Sequence, residues 1–115
     1  MKIISNNQEY EQIIAGGKPV ILKFYADWCA TCKALLPVLE AAGNDYGADI
    51  VVAKINVEAN PDLAAKYSVK SIPAVFLIKN GKVVDQFTGV KNKTEINKRI
   101  DQLISANTEN AGQKL

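Results

Sequence analysis

Three features of this 115-residue chain predict an α/β domain built on a central mixed sheet of about five strands flanked by four helices. Apolar runs of strand length alternate with stretches of helical period; two later apolar runs are joined by Lys79-Asn80-Gly81-Lys82; and a last helical pattern follows them. The order is β-α-β-α-β-α-β-β-α. Its alternating part needs parallel strands with crossover helices, and its closing hairpin adds an antiparallel pair.

Lys2–Ile4 is a short first strand, and Asn7–Ala15 a helix with Tyr10, Ile13 and Ile14 on one face, ended by Gly16-Gly17. Val20–Tyr25 is nearly continuous apolar, as a strand buried on both faces should be. A long helix runs from Cys29 to about Tyr46, with Leu35, Leu39, Ala42 and Tyr46 in register and a kink expected at Pro37. Ile50–Val57 reads as another buried strand, and Asn60-Pro61 supplies an N-cap and a first-turn proline for a short helix through Tyr67. Ala74–Ile78 and Val83–Thr88 flank an Asn-Gly turn, so they pair antiparallel. Asn92 and Glu95 form a capping-box pattern, and Ile96, Ile100, Leu103 and Ile104 line one face of the last helix. The domain is expected at 1–106, with a polar tail at 107–115 that frays.

At 48% hydrophobic, the chain can bury one core, and no second domain is needed. Its 14 basic and 12 acidic residues are dispersed, which argues against nucleic acid or a membrane surface as partner. The longest apolar run, Ala74–Ile78, is far short of the ~20 residues that span a bilayer. The N-terminal segment turns polar at Ser5-Asn6-Asn7 before a signal-peptide core could form, and a cytoplasmic setting is expected. There is no internal repeat, Gly-rich phosphate loop or paired-carboxylate arrangement.

Chemistry is concentrated in Trp28-Cys29-Ala30-Thr31-Cys32-Lys33, which holds both cysteines of the chain at a strand-to-helix junction. Thiols at i and i+3 on a first helical turn share a face, close to the ~5.5 Å Cα separation of an unstrained disulfide. The unpaired N–H groups of the helix start favour the first sulfur as a thiolate, so Cys29 is the expected nucleophile and Cys32 its resolving partner. A structural zinc site would need four ligands, which a chain with two Cys and no His cannot supply alone. A purely structural disulfide closing so short a loop would add little stability, and a metal shared between chains is a further alternative. Redox cycling accounts best for the spacing and its context.

Several separated motifs, in order, resemble the thioredoxin family over about residues 2–105: Phe24-Tyr25-Ala26-Asp27-Trp28-Cys29-Ala30-Thr31-Cys32-Lys33, Pro37, Asn56-Val57-Glu58, Asn60-Pro61, Ser71-Ile72-Pro73, Lys79-Asn80-Gly81 and Gly89. The resemblance implies the thioredoxin fold and reduction of protein disulfides through Cys29 and Cys32. It implies no bound cofactor, disulfide-containing client proteins, a reductase as electron donor (thioredoxin reductase) and a monomer. It further implies a cis peptide at Ile72-Pro73 beside the disulfide, where an extended client segment could pair with Ile72. Trp28, Val57, Ile72, Pro73, Gly89 and Val90 match the family's apolar client surface around an exposed sulfur. Asp27, beside the motif, joins Lys23, Ala30, Thr31, Lys54 and Pro73 as residues expected to modulate the pair.

Two departures bear on the chemistry. The family's Gly-Pro between the cysteines is Ala30-Thr31, which removes a fixed φ and adds a hydroxyl able to reach either sulfur. The family's buried aspartate beneath the resolving cysteine is Lys23, with Lys54 at the position of that acid's partner. Three placements of Lys23 follow: an ammonium favouring the Cys32 thiolate, a neutral amine acting as its base, or an amine snorkelling to solvent or Glu58. Alternative functions are a specialised oxidase, isomerase or client-restricted reductant, separable by reduction potential, and a redox-independent binding module, separable by a double Cys→Ser variant.

Overall fold

The computed structural model describes residues 1–107. The strands are β1 (Lys2–Ile4), β2 (Val20–Tyr25), β3 (Val51–Asn56), β4 (Ala74–Lys79) and β5 (Lys82–Thr88). The helices are α1 (Asn7–Ala15), α2 (Ala30–Tyr46), α3 (Pro61–Lys66) and α4 (Lys93–Ser105), with a 3-10 turn at Gly47–Asp49. The tail expected at 107–115 falls, from residue 108 onward, outside the described residues.

The five strands form one sheet in the order β1-β3-β2-β4-β5. β3 is parallel to β1 and to β2, while β4 is antiparallel to β2 and to β5. β2 therefore lies at the centre, and its carboxyl end delivers the chain to the cysteines. The edges are the three-residue β1 and β5, the latter carrying Lys82 and Asp85 and pairing with β4 through an irregularity at Leu77/Ile78. Asn80 and Gly81 join β4 to β5 with φ of 52° and 76°, the left-handed pair that a two-residue turn matching the strand twist requires.

Alternation along β2 divides two cores. Ile21 packs with Leu35, Leu39, Val75, Leu77, Ile96, Ile100 and Leu103 under α2 and α4. Val20, Leu22 and Phe24 pack with Tyr10, Ile55, Leu63 and Phe76 under α1 and α3. Each fully buried Leu, Ile or Phe contributes roughly 1.5–3 kcal/mol, so two apolar layers hold a rigid sheet between helices. Lys23, next after Ile21 on its face, is directed toward α2.

Helix ends show where local expectations change. Asn92 Oδ1 accepts from Glu95 N at 2.8 Å, but the Glu95 carboxylate turns to Arg99 Nε at 2.9 Å and leaves the reciprocal half of the box unmade. Asn60 stands at the N-cap position of α3 without a side-chain capping bond, and its Nδ2 donates to Asn56 O. Asn6 caps α1 by accepting from Glu9 N, and Glu9 Oε1 accepts in turn from Ser5 N. Ile104, expected on the packed face of α4, is 37% exposed, and the buried stripe is Ile96, Ile100 and Leu103.

Candidate active site

The site begins where β2 runs out. Beyond Tyr25 the chain turns through buried Ala26, and Cys29 N donates to Ala26 O at 3.2 Å, which sets Cys29 at the N-cap of α2 in an extended conformation. Its Sγ accepts from Cys32 N at 3.2 Å, a position usually filled by a Ser, Asp or Asn oxygen. The two cysteines are disulfide-bonded, with Cα atoms 5.2 Å apart. An N–H aimed at sulfur and the positive end of a 17-residue helix both favour negative charge on Cys29 once the bond opens. The Thr31 hydroxyl, free in principle to approach either sulfur, lies 3.4 Å from Cys29 Sγ.

Taken as whole residues, Cys29 and Cys32 are 5% and 2% exposed. Ala26 completes their cluster, and Tyr25, Val57 and Ile72 pack against it. Trp28, next to Cys29 in the chain, stands out at 69% exposed, and Val90 is 46% exposed. Ile72-Pro73 is cis, and Gly89, at a φ of 78°, donates its N–H to Pro73 O at 3.0 Å. Of the expected client-facing residues, Val57 and Ile72 touch the cysteine cluster, while Gly89 joins through Pro73. Ala30 and Asp27 are exposed.

Beneath the disulfide the departure at Lys23 takes definite form. Lys23 is 2% exposed, and its Nζ donates to Cys32 O at 2.8 Å. Snorkelling to solvent or to Glu58 is thereby corrected: the carbonyl of α2 is in reach along the β2 face, and the amine binds there. Lys54 faces it across the β2–β3 ladder, and both amines sit over the Tyr25 ring, at 5.7 and 5.2 Å from its centroid. Burial, with repulsion from Lys54 and against attraction from Glu40, lowers the Lys23 pKa to about 8. A cavity of about 150 Å³ opens alongside, lined by Lys23, Asp27, Cys32, Lys33, Leu36 and Lys54.

Tyr25, Leu36 and Glu40 belong to this site and were not anticipated. The signal was present in the spacing: Tyr25 follows Lys23 by two on a strand, and Cys32, Leu36 and Glu40 repeat every four on a helix. Among the described residues, no group of three or more Cys, Asp or Glu side chains could hold a metal ion, and no helix is long and apolar enough to cross a membrane.

Comparison with known proteins places this geometry. The thioredoxin family model matches residues 1–102. Thioredoxin of Chlorobaculum thiosulfatiphilum is 43% identical over 93 residues, covering 81% of this chain and 86% of the relative. Thioredoxin of Mycobacterium tuberculosis is 35% identical over 92 residues, covering 80% and 79% respectively. The crystal structure of Fasciola hepatica thioredoxin superposes with a TM-score of 0.81 at 33% identity, covering 89% of this chain and 98% of that one. The chain, with its paired cysteines at the start of α2, belongs to the thioredoxin family and is a protein-disulfide oxidoreductase.

Proposed function

We propose that Cys29 is the attacking thiol and Cys32 the resolving thiol of a cytoplasmic, monomeric reductase of client-protein disulfides, with the working domain at 1–106. The observation that carries this order is the capping bond: Cys29 Sγ accepts the N–H of Cys32, whereas Cys32 lies inside the first turn. Cys29 thiolate attacks one sulfur of a client disulfide, forms a mixed disulfide and expels the other client sulfur as a thiolate. Cys32 thiolate then attacks Cys29 Sγ, the bond to the client breaks, and the client leaves reduced while the protein holds the Cys29–Cys32 disulfide. A reductase of the thioredoxin reductase kind returns two electrons, and no bound cofactor takes part. Trp28, Val57, Ile72, Pro73, Gly89 and Val90 form the client surface in this reading. The cytoplasmic assignment rests on a lone C-x-x-C pair suited to cycling in a reducing compartment and on the bacterial thioredoxins among the relatives.

The test is trapping. A Cys32→Ser variant should accumulate client proteins as mixed disulfides on Cys29 that dithiothreitol releases, and Cys29→Ser should not. Capture by Cys29→Ser alone would reverse the assigned order.

A further inference from the structure

Among the described residues, Lys23 is the one buried charged side chain, and it is bound to the same residue whose sulfur must complete the exchange. An ammonium has three N–H donors, and the Cys32 carbonyl takes one of them. Lys23 and Cys32 also border the same small cavity, so the charge lies against the residue that carries the resolving sulfur. The groups facing Lys23 are Tyr25 on its own strand, Lys54 from β3, Lys33 and Glu40 from α2, and Asp27 from the connecting turn, while its β4 neighbour is the apolar Val75. None of these acids makes a hydrogen bond or ion pair to Lys23 Nζ within the described structure.

We propose that Lys23 is a positioning residue for the resolving step, its ammonium serving as the counter-charge that holds Cys32 as a thiolate when the mixed disulfide on Cys29 is opened. The inference rests on the reading of Cys32 as the resolving thiol. Cys32 releases its proton through the cavity to solvent, and its thiolate attacks Cys29 Sγ. The Cys32–Cys29 S–S bond forms as the Cys29–client bond breaks, and the client sulfur departs with the electron pair and is protonated by water. Two cysteine sulfurs are oxidised and the client disulfide is reduced. At neutral pH the lysine, although its pKa is lowered to about 8, is mostly protonated and the charge is available.

The experiment follows reduced protein reacting with 5,5′-dithiobis(2-nitrobenzoate) by stopped flow. The concentration-dependent phase reports attack by Cys29, and the concentration-independent phase reports resolution by Cys32. Lys23→Met should slow the second phase at pH 7 about tenfold and move its midpoint up by at least one pH unit, at ~1.4 kcal/mol per tenfold. The first phase should stay within twofold, and Lys23→Arg should restore most of the second. A second measurement titrates thiolate absorbance in Cys29→Ser protein, where Cys32 should ionise below the ordinary thiol value of about 8.5. An unmoved second-phase midpoint in folded Lys23→Met, or ionisation of Cys32 at or above 8.5 with Lys23 in place, overturns the proposal. A first phase that survives in Cys29→Ser and is lost in Cys32→Ser would instead overturn the order of the cysteines.

Discussion

Replacing Lys23 with Met in the disulfide-bonded protein isolates what the buried amine does to stability. The folded-state pKa is lowered from 10.5 to about 8, chiefly by burial. Between those two values the unfolded chain holds a proton that the folded chain has released, so wild-type stability rises with pH across that window. At about 1.4 kcal/mol for each tenfold change in proton affinity, the full effect is roughly 3 kcal/mol. Met fills a similar volume and cannot titrate. The lost bond to Cys32 O adds a constant to the difference between the two proteins and leaves its pH dependence alone. Urea unfolding of both proteins from pH 7 to 10.5, with the disulfide intact, should therefore show Lys23→Met losing about 3 kcal/mol relative to wild type as pH rises. Groups remote from position 23 contribute equally to both proteins and cancel. A difference that stays flat over this range would refute the claim that burial holds Lys23 against its charge.

Two further predictions concern the frame. Asn92→Ala removes the bond from Glu95 N and should cost about 1 kcal/mol in urea denaturation, with little change in the cysteine chemistry. Gly81→Ala should cost about 1 kcal/mol purely through its φ of 76°, since the added Cβ meets only Ile14 Cγ2 at 3.9 Å; a rise in midpoint would contradict the turn geometry.

Much of the fold was legible because its signals are local. Val20–Tyr25, the Asn80-Gly81 turn and the Ile96-Ile100-Leu103 stripe each carry their period within a few residues. The cysteine pair was equally readable, because two thiols three apart at a helix start need no distant partner to be close. Asn60 and Ile104 show the limit: whether a polar residue caps, or an apolar one is covered, depends on which neighbour competes for it. Lys23 is the sharpest case. Alternation assigns its face, but only the seating of α2 across that face decides whether the amine meets solvent, Glu58 or the carbonyl of Cys32. Asn6 and Glu9 were a missed local signal, a capping pattern visible in the chain.

The borders of the sheet bear on how this protein behaves when crowded. On one side β1 offers only three residues; on the other, β5 sets charged Lys82 and Asp85 beside a break in its ladder with β4. Neither flank presents the long, flat, uncharged template on which a stray strand could nucleate a fibre. The domain is thus guarded against being recruited into the aggregates of other chains.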